Sequence, residues 1–161
     1  MSKGAPEQIE PRRLGDYLEV MSKAVFQSGM SWAVIDKKRP GIREAFRGFE
    51  PLAVASLTEA QMAELTSDTR IIRNRKKVEA IVDNARRNAR RIIDLDEQHA
   101  GFRKYLRSHG GFEGTVADLR KQFRFLGATG CYYFLYVVQE DVPDYDTWCA
   151  SRGIVHQHSH N

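Results

Sequence analysis

Gln122-Phe123-Arg124-Phe125-Leu126-Gly127-Ala128-Thr129-Gly130-Cys131-Tyr132-Tyr133-Phe134 decides how this chain reads. A helical pattern runs into a glycine and an apolar helical pattern starts directly behind it, which predicts two helices joined by a tight hairpin. Glycine at 127 opens a backbone turn that a Cβ would restrict, and the amides near Ala128 and Thr129 then point outward together. Phosphate oxygens suit such amides, because they also carry the positive end of the following helix. A glycine between helices is equally a plain C-cap, so the hairpin alone leaves both readings open. Beyond the second helix comes Val142-Pro143-Asp144-Tyr145-Asp146-Thr147-Trp148, with Asp146 placed 19 residues after Gly127. Asp144 or Asp146 is either the N-cap of a last helix or an acid returned to the mouth of a pocket.

Outward from the hairpin, helix signals recur, and no stretch joins sustained alternation to β-branched enrichment. The expected fold is all-α, a compact helical domain with a helix-hairpin-helix motif. Pro11 suits the first turn of a helix to Gln27, striped by Leu14, Leu18, Met21 and Val25. Ser31 is a cap for the next helix, Pro40 and Pro51 mark two further starts, and Thr58 with Gln61 forms a capping box. The longest helix is expected from Asn74 to Ile93, and Thr115 with Asp118 reads as a capping box for the helix entering the hairpin. The second hairpin helix should run to about Glu140. Residues 11–152 form one domain in this reading, after a flexible N-terminal segment 1–10 and before a polar tail 153–161.

The whole chain narrows the classes. With 161 residues, 42% hydrophobic and 29% charged, it can build one core. No apolar run approaches the length of a membrane span, and the polar start lacks a signal-peptide core, so a cytoplasmic location is expected; the chain is expected to be monomeric. Cys131 and Cys149, without a second pair, fit neither a disulfide framework nor a four-ligand zinc site, and no metal or cofactor is expected. The net charge of +4 is concentrated: from Arg70 to Arg91 nine basic residues face only Glu79 and Asp83. Arg73, Arg75, Lys76 and Lys77 lie at one end of that run and Arg86, Arg87, Arg90 and Arg91 at the other. Such a run is a solvated face or a phosphate-binding one.

A second glycine turn lies in Phe26-Gln27-Ser28-Gly29-Met30-Ser31-Trp32. Gly29 can simply cap a helix with Trp32 packed behind it. Alternatively, Gln27, Gly29 and Met30 form a wedge into duplex DNA, and Trp32, with Phe26, offers an aromatic surface to an extruded base.

Taken in order, Gln27-Ser28-Gly29-Met30-Ser31-Trp32, then Ile71-Ile72-Arg73-Asn74-Arg75-Lys76-Lys77 with Ala80-Ile81 and Asn84-Ala85-Arg86, then Phe123-Arg124-Phe125-Leu126-Gly127, resemble the 3-methyladenine DNA glycosylase I family of the helix-hairpin-helix superfamily. The resemblance spans roughly Tyr17 to Trp148. It implies an all-α fold, double-stranded DNA containing alkylated bases as partner, and hydrolysis of the N-glycosidic bond of an alkylated purine, 3-methyladenine above all, after base flipping. In that scheme Gly127, Ala128 and Thr129 clamp a phosphate, and Arg73, Arg75, Lys76 and Lys77 add DNA contacts. The chain also departs from the family. Ala24 stands where the family carries a glutamate that recognises the base, and the cysteine-bearing start and zinc-binding ends are missing. Glu19 is no obvious substitute, since five helical residues place it about 140° around the axis. Asp146, followed by Thr147, resembles the superfamily's acid after the hairpin and becomes the candidate electrostatic catalyst. The alternatives are a catalytically inactive protein that binds damaged or distorted DNA and a helical protein-interaction domain.

Overall fold

The computed structural model describes residues 5–27, 32–68, 74–86, 89–124 and 126–152. Among them every regular element is helical: α1 (Leu14–Gln27), α2 (Trp32–Lys37), α3 (Arg39–Ala45), α4 (Pro51–Ala55), α5 (Glu59–Thr66), α6 (Arg75–Arg86), α7 (Ala89–Gln98), α8 (Phe102–Leu106), α9 (Phe112–Gln122), α10 (Ala128–Val137) and α11 (Tyr145–Ser151), with a 3-10 turn at Arg47–Phe49. None of these helices is long and apolar enough to cross a membrane.

The centre of the fold is α10. Its sequence is apolar on all sides, and Gly130, Cys131, Tyr132, Tyr133, Phe134, Leu135 and Val137 are all buried, as a helix without a polar face must be. α1 lies against it and runs antiparallel. A Cβ on Gly130 would stand 3.9 Å from that of Ala24, the Tyr17 and Phe134 rings are 6.4 Å apart, and the Ile9 amide donates to the Val137 carbonyl at 2.8 Å. α11 also runs back along α10, with Tyr145 near Tyr136 (5.7 Å between rings) and Trp148 stacked on Tyr132 at 4.0 Å. α6 and α7 pack on each other and on α1 and α4.

Several helix starts follow the expected chemistry. Pro40 sits in the first turn of α3, and Pro51 opens α4 behind a Glu50 cap. Thr58 and Gln61 exchange both bonds of a capping box. Others differ. α1 begins at Leu14 because the Asp16 carboxylate accepts the amides of Arg12 and Arg13 and holds Pro11 outside the helix. The expected helix from Asn74 to Ile93 is represented by α6 and α7, and residues 87–88 between them lie outside the described residues. α9 starts at Phe112, not at Thr115, because Gly110 and Gly111 take φ values of 79° and 151°, a region that favours glycine. Thr115, one turn inside, donates its hydroxyl to the Leu106 carbonyl instead of capping. Asp118 accepts from the Tyr105 hydroxyl and bonds His109. Residues 5–10 lie against α10: Pro6 is buried, the Gln8 side chain donates to the Tyr136 carbonyl, and Gln139 donates to the Ile9 carbonyl. The tail 153–161 lies outside the described residues.

Candidate DNA-binding site

The antiparallel packing of α1 on α10 brings separate segments to one end of the molecule. Ala24 abuts Gly130, so the C-terminal end of α1, with Phe26 and Gln27, lies beside the first turn of α10 and therefore beside Gly127. The N-terminal turn of α6 joins them. Lys77 Nζ donates to the Phe26 carbonyl at 3.0 Å, taking up one of the orphan carbonyls at the end of α1. Arg75 and Lys76, one turn or less away, are exposed at this end. Thus the end of α1, the basic start of α6 and the hairpin, far apart in sequence, are neighbours in space.

The hairpin works differently from its sequence reading. Gly127 has φ −84° and ψ −173°, an extended conformation open to any residue. The turn therefore does not need a glycine. What the glycine does is leave space: a Cβ there would meet nothing within 4 Å. Gly127 is exposed, Ala128 and Thr129 are half-buried, and among the described residues no side chain caps α10. Its first amides are thus presented next to open space, which suits close approach by an anion. The anchors just before Gly127 are Phe123 and Leu126, both buried.

Other candidate residues are placed elsewhere. Phe26 is fully buried, its ring 6.1 Å from that of Phe46, so it is a core residue with no face for a base. Lys77 is 7% exposed and ties α6 to α1. Burial lowers its pKa. It is a scaffold residue, not a surface phosphate contact. Arg75 pairs with Glu79 at 3.5 Å, and Gln27 is buried at the end of α1. Gly29, Met30 and Arg73 lie outside the described residues, as does the side chain of Trp32.

Ala24 is 1% exposed in the α1–α10 contact. The nearby carboxylate of Glu19 is held by Arg43, whose Nη2 lies 2.7 Å from Oε1 and whose Nε reaches both oxygens at 3.2 Å. Lys23 is similarly engaged, with Asp36 at 2.9 Å. At the start of α11 the structure separates the two aspartates. Asp144 is the N-cap, accepting from the Thr147 amide and hydroxyl, while Asp146 stands exposed in the first turn. The charge of Asp146 bears on Tyr136, whose pKa is raised chiefly by burial and further by Asp144 and Asp146. Tyr136 is eight residues past Ala128, about 12 Å along the helix. The first turn of α11, which carries the acid, packs on the Tyr132–Tyr136 stretch of α10, beyond the first turn at the hairpin.

Among the described residues no three His, Cys, Asp or Glu side chains cluster to hold a metal. Cys131 is buried, which pushes its thiol up to about 12.

An all-helical domain that gathers a glycine hairpin, the end of α1 and a basic helix start at one end has the makings of a DNA-backbone grip. The chain belongs to the methyladenine glycosylase family, whose model matches residues 15–122. It is 31% identical over 126 residues to DNA-3-methyladenine glycosylase 1 of Escherichia coli, covering 68% of this chain and 67% of that protein. It is 30% identical over 130 residues to the DNA-3-methyladenine glycosylase of Haemophilus influenzae, covering 68% of each. The structure of 3-methyladenine DNA glycosylase I from Staphylococcus aureus, described for its recognition of 3-methyladenine, superposes with a TM-score of 0.69 at 25% identity, covering 82% of this chain and 79% of that one.

Proposed function

We propose that this protein is a monofunctional DNA glycosylase of base-excision repair, acting as a cytoplasmic monomer on duplex DNA and releasing alkylated purine, foremost 3-methyladenine. The observation that carries this reading is the convergence of the end of α1, the start of α6 and the hairpin on one end of α10, within the fold of the family. Gly127, Ala128 and Thr129 hold a backbone phosphate; Arg75 and Lys76, with Arg73, add charge; the turn at Gly29 and Met30 enters the duplex; Trp32 stacks on the extruded base.

The chemistry suits a sparse site. A purine methylated at N3 is cationic and leaves readily, so the protein has to extrude it, stack it on an aromatic face and tolerate the sugar cation. The base departs with the bonding electrons as neutral 3-methyladenine, and water then adds to the sugar cation and gives up a proton to solvent. Asp146 contributes through its field. A carboxylate acting only at long range supplies about 1 kcal/mol in a surface-like dielectric, at most about tenfold in rate.

One observation favours a second reading, a damage-binding protein without catalysis. Ala24 is enclosed where the family carries its base-reading glutamate, and Glu19 is committed to Arg43. The deciding experiment incubates the purified full chain with methylated duplex DNA and measures free 3-methyladenine by chromatography together with abasic sites. Release with intact abasic sites supports the glycosylase. Binding without release supports the damage-binding protein.

A further inference from the structure

A cleft of about 1000 Å³ opens directly beside the hairpin, between α9, the first turn of α10 and α11. At the upper end of the size range of ligand pockets, it has room for a stretch of nucleic-acid backbone, not merely a lone anion. Arg120, from the last turn of α9, and Arg152, at the C-cap of α11, both line it, as does Ala128 of the hairpin. Both arginines are exposed, and neither forms an ion pair among the described residues. This contrasts with the other charged hollow, beside α1, where Glu19 meets Arg43 and Lys23 meets Asp36.

Arg152 is held in place. Its guanidinium carbon lies 5.5 Å from the centroid of the Trp148 ring, and Trp148 is itself stacked on Tyr132 of the central helix. A guanidinium fixed over an aromatic loses little freedom when it takes a phosphate. The acidic side chain in the lining is Glu113, and His109 on the rim is occupied by Asp118. The uncapped first turns of α9 and α10 border the same space and add to its positive potential.

We propose that this cleft is a second backbone subsite, in which Arg120 and Arg152 take phosphates of the DNA strand continuing past the hairpin. The proposal rests on the DNA-binding reading above. It assigns the end of α11 to substrate binding and extends the DNA footprint beyond the hairpin.

The test measures binding of the full chain to a short undamaged duplex across a salt series. Replacing both arginines (Arg120→Ala with Arg152→Ala) should lower the slope of log K against log salt by about two, equally for any sequence. Over a fourfold rise in salt the unaltered protein then loses about tenfold more affinity than the variant. Lysine at both positions restores the slope, and Lys104→Ala, an exposed site on α8, leaves it in place. An unchanged slope in the double variant, while Gly127→Leu weakens binding, overturns the subsite and leaves the hairpin reading standing. An equal fall in slope for Lys104→Ala overturns it too, as an effect of net charge alone. If the unaltered protein binds no DNA, the DNA reading fails and takes the subsite with it.

Discussion

The two ends of α10 are built from opposite materials. At the Gly127 end, small residues and buried anchors let three chain segments meet: Ala24 against Gly130, Lys77 on the Phe26 carbonyl, Phe123 and Leu126 beneath the turn. At the Tyr136 end, the neighbours are the docked residues 5–10 and the acidic first turn of α11. The first end concentrates donors and cations; the second holds the carboxylate of Asp146. The difference teaches that grip and acid occupy separate places here, so DNA affinity and rate of base release should respond to different substitutions.

The largest effect should come from forcing a carboxylate into the first end. Ala24→Glu places a charged side chain in the closed α1–α10 contact and should cost about 3 kcal/mol or more, read by urea denaturation. That cost is smaller at low pH, because burial raises the new carboxyl's pKa and its protonated form is the one the fold tolerates. A stable Ala24→Glu variant would show that this end is less tightly closed than its packing indicates.

Lys77→Met should come next, destabilising by about 1–3 kcal/mol as the Phe26 carbonyl loses its donor. The salt slope of DNA binding should stay as it is. A fall in slope by about one instead would make Lys77 a phosphate contact. Gly127→Leu should weaken DNA binding at least tenfold by filling the open space at the hairpin, an effect of about 1.4 kcal/mol. Its Tm should shift only by the few degrees expected for a poorer N-cap, because the backbone conformation suits any residue.

Asp146→Asn tests the other end. It should leave DNA affinity unchanged and slow base release by no more than about tenfold, measured in single turnover. A loss of a thousandfold would place the carboxylate at the sugar and break the comparison.

The smallest effect concerns the support beneath α9. Burial alone would push the Asp118 carboxyl up, but hydrogen bonds from Tyr105, His109 and Gln122 bring it below its ordinary value. Its contribution to stability is therefore present above the ordinary carboxylate pKa of about 4 and is lost as pH falls through the lowered folded value. Asp118→Asn should narrow the gap to the unaltered protein in acid and widen it at neutral pH, followed by thermal melts.

The helices and their order were legible from local chemistry. Prolines at first turns, the Thr58–Gln61 box and the apolar run of α10 each act within a few residues of themselves. The hairpin and the basic start of α6 were legible for the same reason. Lys77 and Phe26 belong to patterns that look exposed or functional in one dimension, and only tertiary packing buries them, Phe26 beside Phe46 and Lys77 at the end of α1. Arg152 left one faint trace, the i, i+4 spacing from Trp148 that puts both on one helix face.

By itself the sequence determined that this is an all-α chain with two glycine turns, a basic segment and the motif order of the methyladenine glycosylases. Tertiary structure decided which of these meet. The antiparallel courses of α1 and α11 along α10 set Gln27 and Arg152 near the hairpin and Asp146 away from it. The physical reason is range: caps and periodicity act over one or two turns, whereas helix direction and side-chain burial depend on packing between residues a hundred positions apart.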